Sequence, residues 1–332
     1  MWETKTENIW LESSLDAQPL AVYVVTCPQV KPRAVLQIVH GMAEHWTRYT
    51  AFASFLAQQG YVVCGHDQLG HGATSEKRGA DGFFAPQNGR EYLLADIHRV
   101  TAYIQQQYPG LPVILFGHSM GSFLARLATV RWPQAQLAAV YCGTGGTNPA
   151  APAGIALTGM LCRLHGPEWR SRAVDRMVFG GYQKRIRTPQ TAFDWLSVNT
   201  KNVADYEKDP KCGFLFTVSA FHELMCMTQE ANGKAWFEKM PRSLPVLVIA
   251  GREDPVGSYG LGPQQVAHRL QAAGMEDVTL KLYDGMRHEI LNELGCQQVW
   301  DDVLAWCEQT LDQAAGQAPA ADSMDRAGAA EC

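Results

Sequence analysis

The chain has 332 residues, of which 46% are hydrophobic and 18% are charged, and these values are those of an ordinary globular protein. Its net charge of -5 gives no electrostatic case for nucleic-acid binding, and its length allows one large α/β domain or two domains. No apolar run approaches the roughly 20 residues that a membrane-spanning helix needs, and acidic residues stand where a signal peptide would carry its apolar core.

Short apolar runs rich in valine and isoleucine alternate with helix-like stretches in the first half of the chain. They predict strands at 34–39, 61–64, 113–116 and 137–141. Two later runs, at 245–250 and 278–283, are expected to complete the same sheet. This βαβ alternation predicts an α/β fold, with a mostly parallel central sheet flanked by helices.

The pattern changes between residues 149 and 240, where strand-like runs give way to helix-length pieces. We interpret this segment as a helical cap inserted into the core, which then comprises residues 1–148 and 241–311. The many large apolar side chains of the insertion suit the lining of a pocket, although for any single one of them a place in the insertion's own core is the simpler interpretation. Residues 312–332 lose hydrophobic periodicity and are expected to form a disordered tail.

A possible nucleophile lies at the end of the strand 113–116. The segment Gly117-His118-Ser119-Met120-Gly121 connects this strand to a helix-like stretch and has the G-x-S-x-G pattern of a nucleophile elbow. Gly117 and Gly121 allow two backbones to pass closely, while the serine is held in a strained conformation with its hydroxyl exposed. We therefore predict that Ser119 is a catalytic nucleophile.

A serine nucleophile needs a histidine to accept its proton and a carboxylate to orient that histidine. Asp254 follows the strand at 245–250, and His288 follows the strand at 278–283, so both come after Ser119 in the order expected of this fold. Glu253 and Asp284 are the competing carboxylates. We predict the triad Ser119, Asp254 and His288.

Acyl transfer also requires donors for the oxyanion, and backbone N–H groups are the expected source. One is the N–H of Met120, which follows the nucleophile. The loop after the strand 34–39 supplies the second: Gly41 permits a close approach, which leaves the N–H of Met42 as the predicted donor.

Five segments of the core together resemble the monoacylglycerol lipase and lysophospholipase group of α/β-hydrolases. They are His40-Gly41-Met42-Ala43-Glu44-His45 with Arg48-Tyr49, Asp67-Gln68-Leu69-Gly70-His71-Gly72, the elbow, Gly251-Arg252-Glu253-Asp254-Pro255-Val256, and Arg287-His288-Glu289-Ile290-Leu291-Asn292-Glu293. The resemblance implies an α/β-hydrolase fold and a serine hydrolase that cleaves a carboxylic ester of medium or long acyl chain under a mobile helical cap. The substrate would be a lipid-like ester, such as a monoacylglycerol or a lysophospholipid.

Alternatives remain for the function. The same triad could serve an acyltransferase, a thioesterase or a small-peptide hydrolase, and a more distant alternative is a non-catalytic α/β-hydrolase fold that binds a ligand. No cofactor or metal is expected. His222-Glu223-Leu224-Met225-Cys226 has a cysteine where a metalloprotease helix would carry its second histidine, and no dinucleotide or P-loop fingerprint is present.

The insertion carries a locally basic segment within an acidic protein. An anionic lipid interface is one partner that this segment could meet transiently, and a solvated cap surface is the simpler interpretation. Its members are Arg163, Arg170, Arg172, Arg176, Lys184, Arg185 and Arg187.

Nine cysteines form an odd set without a C-x-x-C pair, which argues against a disulfide framework and against a zinc ribbon. Several, including Cys64 and Cys142, lie within apolar runs and resemble small core residues. We therefore expect a cytoplasmic location. The sequence gives no indication of oligomeric state.

Overall fold

The central feature of the protein is one eight-stranded sheet, seen in a computed structural model that describes residues 2–317. The strands are β1 (Lys5–Glu12), β2 (Pro19–Thr26), β3 (Ala34–Val39), β4 (Tyr61–His66), β5 (Val113–His118), β6 (Ala138–Cys142), β7 (Val246–Gly251) and β8 (Val278–Tyr283). Their order across the sheet is β1-β2-β4-β3-β5-β6-β7-β8. The β1–β2 and β2–β4 pairs are antiparallel, and every other pair is parallel. The predicted mostly parallel α/β fold is confirmed.

All six strands expected from the apolar runs are present. Strands β3, β5, β6 and β7 are buried along their whole length, as expected for parallel strands covered on both faces. β4 and β5 each continue two residues beyond their apolar run, through a Gly-His pair in both cases. Their ends therefore bring His66 and His118 to the carboxyl edge of the sheet.

Strands β1 and β2 were not predicted. The residues of β2 nevertheless carry a clear strand signal in Leu20-Ala21-Val22-Tyr23-Val24-Val25. β1 is largely exposed and polar, and it is held by a continuous antiparallel register from Lys5 opposite Thr26 to Glu12 opposite Pro19. Its pairing with β2, rather than burial of its own side chains, accounts for it.

Helices cover both faces of the sheet. They are α1 (Thr50–Ala57), α2 (Gly72–Arg78), α3 (Gly89–Gln107), α4 (Met120–Arg131), α5 (Ala151–His165), α6 (Arg172–Phe179), α7 (Thr200–Lys208), α8 (Val218–Ala231), α9 (Lys234–Lys239), α10 (Leu261–Ala272) and α11 (Cys296–Gln317). α1 and α11 pack on one face, and α3, α4 and α10 on the other. Helices α5 to α9 all lie between β6 and β7, within the segment 149–240 that we propose as the cap. None of the described helices combines the length and hydropathy needed to cross a bilayer.

The C-terminal helix extends beyond its predicted end. We placed the start of a disordered tail at residue 312, but α11 continues to Gln317. Alanine and glutamine favour helix, and this last turn is largely exposed, so its lack of hydrophobic periodicity marked a surface turn rather than the end of the helix. The remainder of the expected tail, 318–332, lies outside the described residues.

Candidate active site

Ser119 lies at a sharp turn between β5 and α4. Its backbone has φ 53° and ψ -120°, a conformation that residues with a side chain rarely adopt, and its N–H donates to the Cys142 carbonyl at 2.9 Å. Strain of this kind persists only where the surroundings enforce it, and it often accompanies function. The turn presents Ser119 to a large cavity.

The two glycines of the elbow are required by close packing. A Cβ atom on Gly117 would lie 2.3 Å from the Gly121 carbonyl oxygen, and one on Gly121 would lie 2.1 Å from the Val39 carbonyl oxygen. Both distances are far below van der Waals contact. Only glycine allows α4 to cross β5 and β3 closely enough to hold Ser119 at the sheet edge.

Asp254 and His288 meet beside the same cavity. The two side chains come from the loops after β7 and β8, and His288 Nδ1 lies 2.9 Å from Asp254 Oδ2. Both are almost fully buried, and the second carboxylate oxygen of Asp254 accepts from the Val256 N–H at 2.8 Å. The carboxylate is thus held in place to orient the imidazole.

The competing carboxylates face elsewhere. Asp284 is exposed and bonds to Arg252 at 2.5 Å, and Glu253 is exposed beside it. Neither contacts His288 in the hydrogen bonds of the described residues. Of the three candidates, the structure brings only Asp254 to the histidine.

The charges around His288 favour its protonated form. Burial by itself lowers the pKa of His288, but the charge of Asp254 and its hydrogen bond, followed by the charges of Glu289 and Glu44, outweigh burial and raise it. The rings of His118 and Trp195 pack on the imidazole at centroid distances of 4.7 and 5.3 Å. His288 is therefore a stronger base than an exposed histidine.

His40 fixes the peptide that carries the Met42 N–H. His40 Nε2 accepts from the Gln68 N–H at 3.0 Å, so the ring proton lies on Nδ1, 2.8 Å from the Gly41 carbonyl oxygen. Burial lowers the pKa of His40, which keeps the ring in this neutral state. Because N–H and C=O point in opposite directions in a trans peptide, the Met42 N–H is directed away from His40.

The neighbouring amides of this loop are already bonded. The Gly41 N–H donates to Glu44 Oε1 at 2.5 Å, and the Ala43 N–H donates to His71 Nε2 at 3.2 Å. Among the hydrogen bonds of residues 2–317, none has the Met42 N–H as donor. Among the N–H groups of Gly41, Met42 and Ala43, that of Met42 is therefore left to bond a ligand.

The second predicted donor lies on the other side of Ser119. Met120 is the first residue of α4, so its N–H has no acceptor within the helix and lies at the positive end of the helix dipole. Gly41 brings the two sides together, since a Cβ atom built on it would lie 3.1 Å from Ser119 Cβ. The arrangement fits two backbone donors flanking one nucleophile.

A cavity of about 750 Å³ extends from these residues under the cap. Ser119, Met42, Met120 and His288 line one part of it. The cap lines the rest with large apolar side chains, among them Leu157, Met177, Phe179, Tyr182, Trp195, Phe214 and Met225. Such a chamber offers an apolar chain a place to bind beside the nucleophile.

The charged residues that line the cavity are acidic. Glu44, Asp175 and Glu289 contribute carboxylates, and burial raises the pKa of Asp175. Within the described residues, no lysine or arginine lines this cavity. The chamber is therefore apolar with a negative bias.

One group of side chains could in principle hold a metal ion. The potential ligand atoms of His45, Asp209 and Cys212 lie within 4.8 Å of one another. However, His45 Nε2 and Asp209 Oδ2 face each other at 2.9 Å and already satisfy one another. His45 and Asp209 therefore form a hydrogen-bonded pair that joins the cap to the loop of Met42.

A family model described as serine aminopeptidase, S33, matches residues 30–295. This span includes most of the proposed core, the whole of the proposed cap and every residue of the site described above. The chain belongs to this family. It is a serine ester hydrolase with the α/β-hydrolase fold, and the resemblance identified from the sequence motifs is confirmed.

Relatives of this S33 hydrolase cover most of its length. It is 28% identical over 289 residues to a monoacylglycerol lipase of Mycolicibacterium smegmatis, covering 86% of this chain and 91% of the relative. It is 27% identical over 305 residues to human monoglyceride lipase, covering 88% of each chain. Among solved structures, a thermostable carboxyl esterase from Bacillus coagulans in complex with glycerol is similar with a TM-score of 0.87 and 30% identity, covering 92% of this chain and 99% of the esterase.

Several residues of the site had no predicted role. Glu44, Arg48, His71 and Glu289 all stand in the segments that carry the family resemblance, but nothing in those segments indicated what each side chain would contact. Arg48 is buried between Glu44 and Glu289, with Nη2 2.5 Å from Glu289 Oε2 and Nε 3.4 Å from Glu44 Oε2. Glu44 and Arg48 are only four residues apart, whereas the contact of Arg48 with Glu289 joins distant segments and requires the three-dimensional structure.

Proposed function

We propose that the protein hydrolyses the ester of a neutral, lipid-like substrate, such as a monoacylglycerol, through an acyl-enzyme on Ser119. The observation that carries the proposal is that a strained serine lines the same apolar cavity as the histidine of the Asp254–His288 pair. The relatives named as monoacylglycerol and monoglyceride lipases support it.

In the first half of the reaction, Ser119 Oγ attacks the ester carbonyl carbon while its proton passes to His288 Nε2. The charge that develops on the carbonyl oxygen accepts hydrogen bonds from the Met42 and Met120 N–H groups. The intermediate then collapses, and His288 gives its proton to the departing alcohol. Asp254 holds the imidazole and stabilises its positive charge throughout.

Water completes the reaction. It enters after the alcohol leaves, gives a proton to His288 and attacks the acyl carbon. The second intermediate expels Ser119 Oγ, which recovers the proton, and the fatty acid departs. The same acyl-enzyme could pass its acyl group to an alcohol, a thiol or an amine, so acyltransferase, thioesterase and small-peptide hydrolase activities remain the alternatives.

The acidic lining favours a neutral head group. A lysophospholipid with a net negative charge would bring its phosphate towards Glu44, Asp175 and Glu289. Arg48 lies behind Glu44 and Glu289 and balances only one of these two carboxylates, and within the described residues no lysine or arginine lines the cavity itself. Juxtaposed like charges cost several kcal/mol in a desolvated site. A glycerol monoester brings no charge and avoids this cost.

The cap supports transient contact with a lipid surface. Leu157, Met160 and Leu164 are exposed at helical spacing on one face of α5, and Met177 is exposed on α6. The seven basic residues of the segment 163–187 are also exposed. Because Leu157 and Met177 also line the cavity, a substrate leaving a lipid surface at this face would enter directly.

A reducing compartment such as the cytoplasm is also part of the proposal. The eight cysteines within the described residues are all free, and burial raises the pKa of several of their thiols, including Cys64 and Cys142. Such thiols act as inert core residues and need no oxidising environment.

The function is tested by head-group comparison at a fixed acyl chain. We expect kcat/KM for 1-oleoylglycerol to exceed that for 1-oleoyl lysophosphatidate by roughly tenfold or more, because of like-charge repulsion in the cavity. Ser119→Ala is the control and should release no fatty acid from either substrate. Preference for the lysophosphatidate would contradict the neutral head group. Faster acyl transfer to an added alcohol, thiol or amine than to water would favour the alternatives.

A further inference from the structure

Three groups of the cap hydrogen-bond directly to the loop that carries Met42. The Tyr206 hydroxyl and the Gly213 N–H both donate to the Ala43 carbonyl oxygen, at 2.8 and 2.9 Å, and Asp209 faces His45 at 2.9 Å. Burial raises the pKa of Tyr206 well above its usual value, so its hydroxyl keeps the proton that it donates. We call Tyr206, Asp209 and Gly213 the cap clamp.

Ala43, which the cap clamp holds, is strained. Its φ of 52° lies in the left-handed region, which alanine rarely occupies, so outside contacts must hold it there. His71 bonds the Ala43 N–H from the core side, and the cap clamp supplies both partners of the Ala43 carbonyl. If the cap moved away, Ala43 would lose those two bonds and could relax, which would rotate the adjoining peptide and disturb Met42.

A second connection links the cap to the loop that carries Met42 and to the loop that carries His288. Arg48 bonds Asn202 of α7 at 3.1 Å, and Asn202 Nδ2 in turn donates to Glu289 at 2.6 Å. Glu289 follows His288 directly, while Glu44, the other carboxylate beside Arg48, holds the Gly41 N–H. Through Asn202, helix α7 of the cap therefore contacts Arg48 and Glu289, which lie beside the loop that carries Met42 and the loop that carries His288.

We propose that Tyr206 is a positioning residue for the oxyanion hole, and that the Met42 N–H reaches productive geometry only when the cap clamp is seated on Ala43. The inference rests on the proposed function. Seating of the cap then controls the chemical step itself, in addition to controlling access to the cavity. An open cap leaves the Asp254–His288 pair intact and the oxyanion hole incomplete.

The test removes one oxygen atom. Tyr206→Phe deletes the hydroxyl and keeps the ring under the Arg48 guanidinium, which lies 4.9 Å away. We expect kcat to fall roughly tenfold, because misplacing one oxyanion donor should cost part of the 10²–10³-fold that its removal costs. Tyr206 also lines the cavity, but the variant keeps its ring and loses only the hydroxyl that bonds Ala43. KM should therefore stay within about twofold, and the loss in kcat should be the same for p-nitrophenyl butyrate and for 1-oleoylglycerol.

Tyr61→Phe is the matched control. Tyr61 is also a buried tyrosine whose hydroxyl donates to a single oxygen, the carboxylate Oε1 of Glu308 at 2.6 Å, but it lies away from the site. Asn202→Ala is a second variant that removes the other cap connection, and it should also lower kcat without raising KM. Rates are expressed per active site titrated with a fluorophosphonate, so that loss of folded protein does not enter kcat.

Three results would overturn the inference. Tyr206→Phe could match Tyr61→Phe in kcat; it could lower only the melting temperature; or it could raise KM for the long-chain ester alone, which would make Tyr206 an acyl-binding residue. Failure of the proposed function looks different, since the wild-type enzyme would then release no fatty acid from 1-oleoylglycerol.

Discussion

At the scale of single residues, the site depends on the charge state of three buried histidines. His40 and His71 are neutral, since burial lowers the pKa of both, and their Nε2 atoms accept backbone N–H groups. His288 differs because Asp254, Glu289 and Glu44 surround it with negative charge. His40 and His71 hold the loop that carries Met42, whereas His288 is free to exchange a proton.

The pH dependence of kcat/KM follows from the raised pKa of His288. In the proposed mechanism His288 must be neutral to accept the Ser119 proton, so activity should fall as the pH drops through this pKa. We expect the midpoint of the acid limb above the ordinary value of 6.5. Glu289→Gln removes one of the charges that raise it and should move the midpoint down. The profile is measured with p-nitrophenyl butyrate.

Glu223→Gln is the matched control for that profile. Glu223 is also a buried carboxylate that pairs with an arginine, Arg90, and accepts a backbone N–H, but it lies on α8 away from His288. The acid limb of kcat/KM for Glu223→Gln should have the same midpoint as that of the wild type. A wild-type midpoint at or below 6.5, or an upward shift in Glu289→Gln, would contradict this account of His288.

At the scale of elements, the strand, turn and helix around Ser119 show what the sequence can predict. Gly117 and Gly121 indicated close backbone contact, and strand ends indicated where Asp254 and His288 would lie, because carboxyl ends of parallel strands share one edge. The roles of His71, Arg48 and Tyr206 were not predictable. Each depends on a contact with a distant segment, and neither their spacing nor their residue type specifies the partner.

The crossing of α4 over the sheet gives a prediction on stability. Gly121→Ala places a Cβ atom 2.1 Å from the Val39 carbonyl, which belongs to rigid backbone of β3. We expect a loss of about 3 kcal/mol or more in the free energy of unfolding, measured by urea denaturation. Gly181→Ala is the control, because a Cβ atom there meets nothing within 4 Å. Equal stability of the two variants would show that the elbow does not need this glycine.

At the scale of the whole molecule, the cap presents two different surfaces. Its inner surface lines the cavity with aromatic and methionine side chains, whereas the outer faces of α5 and α6 expose leucine, methionine and arginine. The sequence indicated an apolar and basic population in the segment 149–240. It could not indicate which members face inward, since that depends on how the helices pack.

The outer surface gives a prediction on interfacial activity. Leu164→Glu replaces a side chain that is 68% exposed on α5, and it should lower the rate on 1-oleoylglycerol presented in anionic vesicles several-fold while leaving soluble p-nitrophenyl butyrate unaffected. Leu261→Glu changes an equally exposed leucine on α10 and should have no effect on either substrate. If both substitutions slow the vesicle reaction equally, added negative charge rather than cap docking is the cause.

In the proposed mechanism Ser119 carries the acyl group, and trapping the acyl-enzyme tests this assignment. The enzyme is mixed with an excess of a p-nitrophenyl ester of oleic acid, quenched in acid, digested with trypsin and analysed by mass spectrometry. We predict an added oleoyl group on the peptide Val100–Arg126, localised by fragmentation to Ser119 rather than to Ser122, and no such adduct in Ser119→Ala. An oleoyl group on any other residue, or an adduct that persists in Ser119→Ala, would contradict the claim.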